Sequence, residues 1–88
     1  MLKAVLVEFI GTLLFLYVIL ATGNFAAIGA ALALVIYLGG PISGGNFNPA
    51  VTVMLIAAKK QSLNTLAPYV VAQLVGGLVA LQLYKHVH

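Results

Sequence analysis

The sequence predicts an all-α membrane protein in which three transmembrane helices and one re-entrant half-helix form a single unit over residues 1–88. Three observations predict it. Hydrophobic residues make up 64% of the chain and charged residues only 6%, where a soluble domain carries about 25% charged residues. Three apolar segments are long enough to cross a bilayer or nearly so. Between the second and the last lies "SGGNFNPAVT", residues 43–52, which sets Asn, Asn and Pro amid apolar sequence with no charge nearby.

The first helix is expected over residues 2–21, interrupted only by Lys3, Glu8 and Thr12. Its apolar part of about 18 residues would span roughly 27 Å at the helical rise, close to the thickness of a hydrocarbon core. The run is too long for a cleavable leader, and no small-residue cleavage site precedes a polar chain. Thr22-Gly23-Asn24 signals a turn. The second helix is expected over 25–40, about 16 residues or roughly 24 Å. Its Ala26, Gly29, Ala30 and Ala33 fall at three- and four-residue spacing, a pattern that lets another helix approach closely. Gly39-Gly40-Pro41 is expected to end it.

Residues 41–58 form the re-entrant element. The apolar piece from Asn48 to Ala58 is about 10 residues, roughly 15 Å as a helix, and so reaches only halfway across. Lys59-Lys60-Gln61-Ser62 closes it with polar residues. The last helix is expected over 66–84, with Pro68 tolerated in its first turn. Ala72, Gly76 and Ala80 make a small-residue stripe, and Tyr69 and Tyr84 lie near the ends, where interfacial aromatics sit. His86 and His88 read as a solvated tail.

Composition excludes several functions. With no cysteine, neither a disulfide framework nor a thiolate metal site is available, and no cofactor is expected. Lys3, Lys59, Lys60 and Lys85 are scattered. They suit membrane edges rather than a nucleic-acid surface. No nucleophile–base pair accompanies the only acid, Glu8, so an enzyme is not expected. An ionisable side chain within a spanning helix is expensive and usually functional or paired, although Glu8 is near enough to the helix start to snorkel to water.

Asn48-Pro49 reads as a helix start in mid-membrane. Asn is a favoured N-cap, its oxygen accepting a first-turn N–H, and Pro at the first helical position loses no hydrogen bond. With its oxygen so held, the Asn48 amide nitrogen becomes a fixed donor facing the other way. The preceding loop must line a water-filled cavity or be buried in protein. Gly44 and Gly45 give it conformational freedom. A column of carbonyl acceptors ending at an oriented donor, beside the positive end of a helix, suits small neutral polar molecules and opposes cations. Asn-Pro also starts ordinary turns that only pack a bundle; the half-length helix and the glycines favour the pathway.

The combination resembles the aquaporins, the major intrinsic protein family. "SGGNFNPAVT" is similar to that family's first Asn-Pro-Ala box, "VEFIGTLLFLY" to its first helix and "AQLVGGLVA" to its third. Only the first half of a family member is matched. The resemblance implies half of the aquaporin fold, completed by an inverted second half whose own box meets the first at the membrane centre. It implies a multi-pass integral membrane protein in contact with lipid, and a passive channel for water and small neutral solutes such as glycerol. Asn48, Pro49 and Ala50 would form the central constriction. The family's four filter positions map onto Ile28, Ile36, Gly45 and Val51, the last standing where the family carries Arg. A filter without that Arg is wider and greasier. Glu8 and Gln73 match loop-bracing positions, beside Ser43, Gly44 and Asn46 of the box, where Asn46 replaces a frequent His.

Two copies paired with opposite orientation, an antiparallel homodimer, would rebuild the full fold, and four such dimers would match the family's tetramers of pores. The lysine bias between the two sides is weak, which permits dual topology. The alternative is a non-conducting scaffold, or a fragment that needs a partner half. A dual-topology exporter would want an essential carboxylate in its pathway, a role that a loop-bracing Glu8 fills poorly.

Overall fold

A computed structural model describes residues Met1–His88 as four α-helices and a short 3-10 turn, with no strand. Helix α1, Leu2–Thr22, ends at Gly23, whose left-handed φ of 53° turns its N–H back to Ile19 O at 3.0 Å. Only a residue without Cβ adopts that conformation cheaply. Asn24 then caps α2, Phe25–Ser43, accepting the Ala27 N–H at 3.0 Å. The connection is short enough to make α1 and α2 antiparallel neighbours.

Helix α2 does not stop at Gly40. It carries Pro41 inside its last turn and ends at Ser43, capped by Gly44 at φ 91°. Proline disfavours helical geometry in the residue before it partly through that residue's Cβ. Gly40 has none, so the helix passes through. The extra turn matters, because it delivers Ser43 to the interior.

Helix α3, Pro49–Ala57, is the half-helix, and Asn48 is its N-cap. A tight reversal at Lys59, φ 60°, leads through Leu63–Thr65 into α4, Leu66–Val87. Helix α4 runs past Tyr84 to Val87, so His86 belongs to the helix rather than to a free tail. A cationic residue such as Lys85 in the last turn is favoured by the exposed carbonyls there. The spans Leu2–Thr22, Phe25–Ser43 and Leu63–Val87 are each long and apolar enough to cross a membrane.

Helix α1 is central, packing on both α4 and α2, while α3 packs on α4. The α1–α4 contact is made by the small-residue stripe: Ala72, Gly76 and Ala80 are all buried. A Cβ on Gly76 would lie 2.9 Å from the Phe9 carbonyl oxygen and 3.3 Å from Leu13 N, so the two backbones touch there. On α2, by contrast, Ala26, Gly29, Ala30 and Ala33 are not covered by a neighbouring helix of the chain.

The interior is polar and the outside is oily. Glu8, Thr12, Ser43, Asn46, Thr52, Thr65 and Gln73 are buried, while leucines, valines and isoleucines along all the spans face outward. In lipid this costs no apolar transfer energy, and polar groups gain by meeting one another. Replacing Gly76 by Ala is expected to destabilise the fold by about 1–3 kcal/mol, read as a lowered unfolding midpoint in a detergent titration, because the opposing atom is backbone and cannot rotate away.

Candidate functional site

The site is built around the five residues between α2 and α3, Gly44 to Asn48. Such a chain cannot satisfy its own backbone, so its polar groups need side-chain partners. Glu8, wholly buried, accepts two of its N–H groups. Its Oε1 accepts the Phe47 N–H at 2.7 Å and the Gln73 Nε2–H at 2.8 Å. Its Oε2 accepts the Ser43 hydroxyl at 2.7 Å and the Asn46 N–H at 3.1 Å. Ser43 Oγ in turn accepts the Gly45 N–H at 3.1 Å. One carboxylate thus satisfies consecutive donors of the loop and ties α1 to α2 and α4. The single acid does not snorkel.

Other elements hold the loop from behind. Tyr69 donates its hydroxyl to Ser43 O at 2.7 Å and is 4% exposed; it is a buried brace, not the interfacial anchor its place near a helix end suggests. Thr52 Oγ1 accepts from Gln73 Nε2 at 2.8 Å and from Asn46 Nδ2 at 2.9 Å. The Asn46 amide also donates to Gln61 Oε1 at 3.0 Å, and Gln61 donates to Thr65 at 2.9 Å. The sequence alone does not single out Thr52, Gln61 or Tyr69 as braces. Tyr69 does share a helix face with Gln73, four residues on.

The loop's shape depends on one aromatic ring. Phe47 has a left-handed φ of 56°, uncommon for a bulky residue, and is 2% exposed. Its ring lies where a Cβ on Gly11 or Gly39 would be, with Phe47 Cδ1 2.7 Å and Phe47 Cζ 2.9 Å from those two positions. Two glycines, one on α1 and one on α2, thus make the slot whose packing offsets the strained backbone.

With the loop fixed, Asn48 is oriented. Its Oδ1 accepts the Ala50 N–H at 2.7 Å and its carbonyl accepts the Thr52 N–H at 3.1 Å. Its Nδ2 makes no bond within the chain, and the residue is exposed. Pro49 occupies the first helical position. The carbonyls of Gly44, Gly45, Asn46 and Phe47 accept no hydrogen bond from the chain, so four acceptors in sequence lead to that donor.

Of the four filter candidates, two meet. Gly45, at φ 64°, lies against α2, where an added Cβ would be 3.5 Å from Ile36 Cγ2. Ile28 and Val51 are half-buried and Ala50 is exposed. Ile28 stands on α2 about two turns before Ile36, roughly 12 Å along the axis.

Comparison with known proteins agrees with this architecture. The family model described as Major intrinsic protein matches residues 1–88. The chain is 37% identical over 102 aligned residues to "Probable aquaporin PIP2-6" of Oryza sativa subsp. japonica, an alignment that covers 94% of this chain and 36% of the relative. It is 38% identical over 100 residues to "Probable aquaporin PIP2-8" of Arabidopsis thaliana, again covering 94% and 36%. It is 38% identical over 84 residues to "Glycerol uptake facilitator protein-like 6" of Lactiplantibacillus plantarum, covering 85% and 39%. The chain therefore spans little more than a third of the length of the curated relatives it matches. No solved structure matches it.

Replacing Glu8 by Gln puts an amide NH₂ against groups that are themselves donors. A loss of about 3 kcal/mol or more is expected, together with loss of hydrogen-exchange protection at the Asn46 and Phe47 amides. Unchanged protection there would show that the loop is held by something other than this carboxylate.

Proposed function

The chain belongs to the major intrinsic protein family, and from that membership and the site above we propose that two copies in opposite orientation form a passive membrane channel for water and small uncharged solutes. The observation that carries the reading is the state of Asn48: oxygen held by its own helix, amide nitrogen free, at the end of four unpaired carbonyls. A neutral molecule with both donor and acceptor groups can exchange its hydration for such a ladder. A cation meets the positive end of α3 at the same place.

One chain leaves this path open to one side, so a second half must close it. In the two-fold arrangement Pro49 and Ala50 of both copies abut, and the half-helices meet start to start. Each mouth would then combine Ile28 of one copy with Ile36, Gly45 and Val51 of the other. The adjacency of Ile36 and Gly45 within one chain supports grouping them in one mouth. Aliphatic side chains with no guanidinium leave a wider opening with fewer donors, one that admits glycerol alongside water. The alignments, which cover about a third of each relative, also accord with a second reading, in which the chain is a non-conducting scaffold or a fragment that needs a partner half.

Purified chain in liposomes, followed by stopped-flow light scattering after an osmotic step, separates the two. Fast shrinkage of low activation energy with an impermeant osmolyte, then re-swelling with glycerol, is expected. Folded protein no faster than empty liposomes would overturn the self-paired channel. Asn48→Asp, which exchanges the free donor for an acceptor, should reduce the water rate at least tenfold, since a lost charged or oriented hydrogen bond at a constriction is worth about 1.5–3 kcal/mol. Val51→Arg restores a cation at each mouth and is expected to slow glycerol more than water, measured as the ratio of the two permeabilities.

A further inference from the structure

The turn that ends α3 carries a charge where glycine costs least. Lys60 N–H returns to Leu55 O at 2.9 Å and Lys59 N–H to Ile56 O at 3.0 Å. This closes the helix with Lys59 in the left-handed conformation, φ 60°. Gly is the usual residue there, because a Cβ is crowded. The chain instead sets two adjacent ammonium groups in the reversal, both exposed. Neither has a carboxylate to meet. The only acidic side chain, Glu8, is wholly buried and engaged with the loop. The last carbonyls of α3 attract cations, but those of Leu55 and Ile56 are taken by the turn itself.

The two lysines border a hollow of about 510 Å³, completed by Ile56, Gln61, Ser62 and Leu63. The N–H groups of Gln61, Ser62 and Leu63 and the Ser62 hydroxyl donate to no acceptor in the chain. Leu63 opens the span Leu63–Val87, so the hollow sits where hydrocarbon gives way to headgroups. Lys3 lies at the same face, since Ala67 and Pro68 at the start of α4 share a groove with Val5 and Leu6 of α1. We propose that this hollow binds the phosphate of an anionic lipid headgroup. Lys59 and Lys60 supply the charge, the Ser62 hydroxyl and the free N–H groups supply hydrogen bonds, and Ile56 and Leu63 lie against the acyl chains. A zwitterionic headgroup brings its own cation and gains less from two lysines. A soluble phosphate has no use for Leu63, which is 70% exposed at the first turn of a span. The site is complete in one chain, so it does not rest on pairing or on conduction.

The chain has no Trp, so Leu63→Trp places a single fluorophore at the hollow. In a separate chain, Leu83→Trp places one near the other end of α4. Each is reconstituted in phosphatidylcholine vesicles holding an equal fraction of brominated phosphatidylglycerol or brominated phosphatidylcholine, and the quenching is compared. Leu63→Trp is expected to report a preference for phosphatidylglycerol of about fivefold or more, since each lysine near an anionic surface is worth about that factor. Leu83→Trp is expected to report a much smaller one. Adding Lys59→Gly to Leu63→Trp removes one charge and gives the turn the residue it favours. It should cut the preference about fivefold while raising the unfolding midpoint in a detergent titration, so that lost binding is not lost fold. Adding Lys60→Gln as well should abolish the preference. An equal preference at both fluorophores overturns the site, because attraction would then be diffuse. So does a preference that survives loss of both lysines. A preference removed by inorganic phosphate, but not by chloride at the same ionic strength, overturns the lipid assignment in favour of a soluble anion.

Discussion

The structure depends on one carboxylate meeting the donors of a loop that has no secondary structure of its own. Backbone N–H groups at membrane depth must be paired inside the protein. Five residues of turning backbone leave several unpaired, and Glu8 takes two of them directly and a third through Ser43. Glu8 is the chain's single acid, and its two oxygens take four donors at once. The same carboxylate binds Gln73, so the position of α4 is set by the group that sets the loop. Holding the loop and holding the bundle are one interaction.

The polar centre explains why the glycines fall where they do. A polar cluster of Glu8, Ser43, Asn46, Thr52 and Gln73 occupies the middle of the bundle. The helices must approach closely around it, since lipid gives no hydrophobic drive to press them together. Gly76 lets α4 touch α1, and Gly11 with Gly39 admits the ring of Phe47. That ring then holds a left-handed backbone at the residue before Asn48. Strain at the residue before Asn48 is thus offset by packing against glycines of two other helices.

What the chain leaves unsatisfied is as ordered as what it satisfies. The free carbonyls, the free Asn48 amide and the Val51 N–H all belong to the loop and the start of α3. Along the spans, the outward faces meet lipid with hydrocarbon. These polar groups without a partner in the chain are thus gathered in one region, while the outer faces of the spans suit lipid.

The sequence by itself determined the spans, the turn at Gly23, the capped start at Asn48-Pro49 and the family, because these rest on local signals: hydrophobic length, a cap residue, a proline where it costs nothing. Glu8 and Gln73 could be named as braces from the resemblance, but not the bonds they make. Only the tertiary structure decided that α2 passes through Pro41 to deliver Ser43, that Tyr69 turns inward, that Thr52 and Gln61 join the network, and that Phe47 fills a slot made by two glycines on different helices. The reason is separation along the chain. Glu8 meets partners 35 to 65 residues away. No local pattern encodes which face of a helix will meet a distant loop until the close-packed glycines fix how the helices sit.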